Sequence, residues 1–154
     1  MAHDDTRSVA TRCIDWPAAL TAAQAAVLAA EAMDRRVNVA VVDPSGTLAA
    51  FLRMPGAPLH SVEIAIDKAY TAVSFGLPTS RWTEVLAGHS PAVRDGLARR
   101  PRFVAFGGGL PLMEHGQPIG AIGVSGASED EDESIARAGA RAIGRALPGH
   151  EDPP

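Results

Sequence analysis

The chain has one cysteine, Cys13, one lysine, Lys68, and one tyrosine, Tyr70, and each scarcity narrows what it is. A lone cysteine excludes an intramolecular disulfide and any paired-cysteine metal motif. No apolar run is long enough to cross a bilayer. The alanine-rich stretch from Ala18 to Met33 is interrupted by Thr21, Gln24 and Glu31 and reads as a soluble helix. The opening MAHDDTRSVATRC has acids where a signal peptide needs a basic region, and no apolar core follows, so the cytoplasm is the expected location. The arginines are scattered and the net charge is −4, which gives no footprint for nucleic acid.

What is present suits one compact domain. The 154 residues are 46% hydrophobic and 21% charged, too apolar for a disordered chain. We read 1–154 as a single domain with a core of about 18–147 and fraying ends.

Periodicity and punctuation place the elements. Thr21 and Gln24 have capping-box spacing at the start of AAQAAVLAAEAMDRR, a run of strong helix formers. Val37–Asp43 is β-branched and apolar, Asp43-Pro44-Ser45-Gly46 is a tight turn, and Thr47–Met54 returns as the second arm of a hairpin. A second helix runs from about His60 to Phe75, with an apolar stripe at 62, 65, 66, 69, 72 and 73. Two short helices follow, at Thr79–Ala87 and Ala92–Arg99. Arg102–Phe106 reads as a strand ending in Gly107-Gly108-Gly109. A further hairpin turns at Glu114–Gln117, its second arm being Pro118–Ser125, and a last helix spans Glu129–Leu147. Two hairpin-rich groups separated by helices predict an α+β fold with one five-stranded antiparallel sheet.

Several residues are candidates for chemistry. The Gly107–Gly109 run offers backbone N–H groups to an anion or lets a flat ligand approach, or else it is a bend joining two strands. It matches no nucleotide fingerprint. Gly123-Val124-Ser125-Gly126-Ala127 lacks the final glycine of a hydrolase elbow, so Ser125 is expected to pack near the glycines. The acids at 129–133 lack the alternation of a calcium loop and suit a helix N-terminus. Among five histidines no zinc spacing occurs. His3 and His150 fall in the tails and His115 at a hairpin tip. His60, opening the second helix after a Pro/Gly loop, is the best placed to ligate a haem iron, or is a surface residue near Glu63. Lys68 survives in a chain that otherwise writes arginine. A GC-rich genome explains the arginines, and a site that keeps lysine needs a compact cation or an amine able to lose its proton.

In order along the chain, VNVAVVDPSGTLAAFLRM, EIAIDKAYTAVSFG, GGGLPL and GQPIGAIGVSGASEDEDESIA resemble the GlcG/HbpS family, related to the C-terminal domain of PduO-type corrinoid proteins. The likeness covers roughly residues 18–147. It implies a profilin-like five-stranded antiparallel sheet with helices on both faces, homo-oligomers, and haem binding in several members. The family's motif positions fall here on Asp43, Gly46, Arg53, Lys68, Thr71, Gly108, Gly109, Pro111, Gly120, Gly123, Ser125, Gly126 and Asp132.

Two functions are expected from these residues. In the first, haem sits in a flat pocket between the second helix and the glycine turn, with His60 on the iron and Lys68 or Arg53 pairing a propionate; Thr71, Gly108, Gly109 and Ser125 line it. In the second, an enzyme acting on a small carboxylate or carbonyl metabolite uses Lys68 as base or Schiff-base amine and the glycine N–H groups for an oxyanion. A third reading keeps Lys68, Asp43 and Asp132 as structural pairs in an oligomerising or partner-binding scaffold.

Overall fold

The computed structural model describes residues 6–144. Helix α1 (Trp16–Ala32) leads into the hairpin β1 (Asn38–Val42) and β2 (Leu48–Arg53), followed by α2 (Ser61–Phe75). The short helices α3 (Trp82–Ala87) and α4 (Pro91–Ala98) come next, α3 entered through a single 3-10 turn at Thr79–Arg81. The hairpin β3 (Gly109–Glu114) and β4 (Gln117–Ser125) and the helix α5 (Glu129–Ala142) complete the fold.

The strands form one antiparallel sheet in the order β2-β1-β4-β3. It has four strands among the described residues, where the sequence suggested five. The difference is Arg102–Phe106, which joins no ladder. Arg102 adopts a left-handed φ of 66°, incompatible with an extended strand. The hydrogen-bonding groups of this segment go instead to α2: Thr71 Oγ1 donates to the Arg102 carbonyl and accepts from Val104 N–H.

Alternation along the central strands explains the two layers. Val39 and Val41 of β1 and Ile122 and Val124 of β4 join Leu110 and Leu112 against α1 and α5. Val42 and Ala121 point to the other face and meet Ala69 and Ala72 of α2. Gly123 lets α2 lie directly on the sheet, since a Cβ there would strike the Ala65 carbonyl and come within 2.6 Å of the Ala69 nitrogen. Against the first face, small residues Ala22, Ala26, Ala136 and Ala140 keep α1 and α5 close.

Helix boundaries follow capping chemistry. α1 begins earlier than the capping-box spacing at Thr21 implied. Asp15 caps it by accepting from Trp16 N–H, proline stands in the first turn, and Thr21 donates back to the Pro17 carbonyl inside the helix. α2 ends at Gly76, whose left-handed φ of 65° returns its N–H to the Ala72 carbonyl. Its buried face is Ser61, Ala65, Lys68, Ala69, Thr71 and Ala72; Val62, Ile66 and Val73 of the expected stripe are only half-buried. A capping box between Ser128 and Glu131 opens α5, which is helical to Ala142. Ile143 caps it and Gly144 turns away with a φ of 67°, so the helix stops short of the expected Leu147, and 145–147 lie outside the described residues.

Candidate functional site

α2 and the segment 100–109 lie side by side, and the residues singled out by the sequence gather along this seam. At its centre Lys68 Nζ donates to Asp132 Oδ2 and to the Val124 carbonyl, both at 2.9 Å. The Lys68 and Asp132 side chains are 1% and 3% exposed. Asp132 also accepts from Ala127 N–H at 3.0 Å, so one carboxylate ties α2, the end of β4 and the start of α5 together. Burial pushes Lys68 below the ordinary lysine value and Asp132 above the ordinary aspartate value, and the attraction between them opposes each shift. The Phe106 ring lies 4.9 Å from the ammonium.

The glycine turn closes over this pair. Gly108 has φ 126°, and a Cβ on it would lie 2.5 Å from the Val124 carbonyl oxygen and 2.7 Å from Lys68 Nζ. A Cβ on Gly109 would collide with the Lys68 carbonyl. The space between α2 and the turn is therefore filled by protein. Two of the three glycine N–H groups are engaged as well: Gly107 donates to Glu129 Oε2 and Gly109 to Thr79 Oγ1, each at 2.9 Å. Neither they nor the buried Lys68 amine is open to a substrate, so the geometry lends nothing to the base or Schiff-base role considered for Lys68 or to an oxyanion site at the turn.

The remaining candidates occupy two places. Thr71 sits one turn beyond Lys68 on α2, buried and bonded to the 102–104 backbone. Ser125, also buried, ends β4 opposite Asn38. Arg53 and His60 belong to the N-terminal end of α2. Arg53 donates to the Ala57 carbonyl at 2.7 Å and to Asn38 Oδ1 at 3.1 Å, while Asn38 Nδ2 donates to the Pro58 carbonyl at 3.2 Å. This clamp fixes the loop that presents His60, whose side chain is exposed, makes no capping bond and has no hydrogen bond to any described residue. Asp43 is not paired with Lys68; it accepts from Ser45 N–H, Ser45 Oγ and Thr47 N–H in the β1–β2 turn, which hold its pKa down.

The sequence did not single out Asn38, Thr79 or Phe106, and it raised Glu129 only as one of the acids opening the last helix. Asn38 carries the signal of a polar residue that must find partners when buried, being flanked by the apolar Val37 and Val39; Thr79, followed by Ser80 and Arg81, carries no such signal. Among the described residues no three His, Cys, Asp or Glu side chains are placed to hold a metal ion, and no helix is long and apolar enough to cross a membrane.

A family model described as "Haem degrading protein HbpS-like" matches residues 14–141. The corrinoid adenosyltransferase PduO of Citrobacter freundii is 35% identical over 120 residues, which are 78% of this chain but 36% of that protein. The crystal structure of a double mutant of Streptomyces reticuli HbpS superposes with a TM-score of 0.79 at 41% identity, covering 92% of this chain and 94% of that one. A PduOC:heme complex superposes with a TM-score of 0.80 at 33% identity, covering 87% of this chain and 97% of that one.

Proposed function

The chain belongs to the HbpS-like family, and on that premise we propose that it binds haem at the N-terminal end of α2, with His60 as the iron ligand. The observation that carries this reading is the exposed His60 imidazole, which has no hydrogen bond to any described residue and follows a loop fixed by the Arg53–Asn38 clamp. A ligating histidine needs a ring nitrogen that no internal hydrogen bond occupies.

The surroundings fit a flat apolar macrocycle. Leu59 beside His60 is 78% exposed, and Phe106 on the facing segment is 45% exposed. Ile64 and Lys68 continue the His60 row at helical spacing, and Phe106 stands against Lys68. The Arg53 guanidinium uses part of its five-donor fork on backbone carbonyls and Asn38, leaving donors for a propionate. Lys68, Thr71 and Ser125 are buried, and Gly108 and Gly109 pack against Lys68, so we assign none of them a contact with the haem. This relocates the ligand from the filled space under the glycine turn to the surface beside it. When bound, haem supplies an iron able to exchange ligands and electrons. The complex between haem and PduOC supports the reading, and by the same kinship we propose a cytoplasmic homo-oligomer.

Titrating the purified protein with hemin tests this. A saturable Soret band at one haem per chain is the expected result. A spectrum that stays that of free or non-specifically adsorbed hemin contradicts it.

A further inference from the structure

A concave site lies roughly 15 Å along α2 from His60, at the helical rise per residue. It is a cleft of about 320 Å³ between the C-terminal half of α2 and residues 97–103, lined by Tyr70, Ser74 and Phe75 on one side and Arg100, Arg102 and Phe103 on the other.

Its walls are fixed by contacts already described. Thr71 holds the backbone on both sides of the left-handed Arg102. A non-glycine residue keeps that conformation only where its surroundings impose it. The Arg102 guanidinium lies 3.6 Å from the centre of the Tyr70 ring and donates to Asp67 at 2.9 Å. Phe75 and Phe103 meet edge-on at 6.1 Å, and both pack edge-on against buried Trp82. Yet Phe75 remains 48% exposed, and the Arg100 guanidinium has no hydrogen bond or ion pair to any described residue. A rigid aromatic wall with a cation lacking a counter-charge is complementary to an apolar ring bearing a negative group.

We propose that this cleft binds a small aromatic carboxylate, its ring against Phe75 and Phe103 and its carboxylate on Arg100. The volume is at the low end for ligand pockets, which suits a single ring and not a porphyrin. Arg102, already held by Asp67, adds positive potential without being the anchor.

Benzoate is the probe. Its binding is followed by calorimetry and by Trp82 emission in a Trp16→Phe background, which leaves Trp82 the only tryptophan. The expected result is saturable one-to-one binding, weakened about tenfold or more in Arg100→Gln and for the neutral isostere benzamide, and undisturbed by stoichiometric hemin. Four results overturn it: no saturation up to about 10 mM benzoate, equal binding by Arg100→Gln, equal binding of benzamide, or displacement by hemin. None of them depends on where haem sits except the last, which would move the porphyrin into this cleft.

Discussion

Lys68 and Asp132 meet at 2.9 Å inside the protein, the first from the middle of α2 and the second from the opening turn of α5. Removing one member leaves the other a buried, uncompensated charge, a loss of about 3–5 kcal/mol. Lys68→Met and Asp132→Asn are each expected to lower the unfolding free energy by that amount in urea denaturation. Lys68→Met with Asp132→Leu should cost clearly less than the sum, because apolar groups need no counter-charge. A single substitution costing under about 1 kcal/mol would show the pair to be far more solvated than its burial indicates.

Gly108→Ala tests the closure of the turn over that pair. The added Cβ has no room against the Val124 carbonyl, and φ 126° is strained for any L side chain. The expected loss is about 3 kcal/mol or more, read as a fall in Tm. Gly116→Ala is the control: it also has positive φ but meets nothing within 4 Å, and should cost about 1 kcal/mol. Equal losses at both positions would mean that backbone strain alone is at work.

Thr71 replaces a strand ladder with one hydroxyl. Thr71→Val keeps the shape and strands the Val104 N–H and Arg102 carbonyl, an expected loss of about 1–3 kcal/mol. Thr71→Ser restores both bonds and should recover most of it. Faster amide exchange at Val104 in the valine variant is the local readout. Unchanged exchange would mean that the segment is held by other contacts.

Acid sensitivity should include Glu131. Its hydrogen bond to Arg35 and its capping bonds with Ser128 lower its pKa from 4.5 to about 2. A group with a depressed folded pKa favours the folded state above its unfolded value and loses that contribution as pH falls toward the folded one. The stability gap between wild type and Glu131→Gln is therefore expected to be full above pH 4.5 and to close as pH approaches 2. A gap that stays constant across this window would assign the effect to packing.

How far the fold could be read depended on whether the signals were local. The β1–β2 hairpin was legible because Asp43-Pro44-Ser45-Gly46 is turn chemistry in sequence, and Asp43 accepts the bonds that such a turn uses. Arg102–Phe106 was misread because its apolar composition favours a strand, while its hydrogen bonds are taken by a threonine 31 residues away. Lys68 stood out by scarcity. Its pairing with Asp132 was among the readings the sequence allowed, and the buried positions Asp132, Ile135, Ala136, Gly139 and Ala140 share the helical spacing that singles this acid out from its four neighbours. That periodicity turns one acid inward, where it needs a cation. The depth of the space beneath the glycine turn was not legible, since only the folded contacts show that Lys68 fills it.

The iron environment of the haem-loaded protein is the most direct test of the proposed site. Electron paramagnetic resonance and absorption spectra of wild type and His60→Ala, each loaded with one hemin per chain, should differ. The wild type should show a nitrogen-ligated ferric haem, and the variant should lose that signature and bind hemin at least about tenfold more weakly. Identical spectra and affinities in the two proteins would remove His60 from the iron and the N-terminal end of α2 from the haem site.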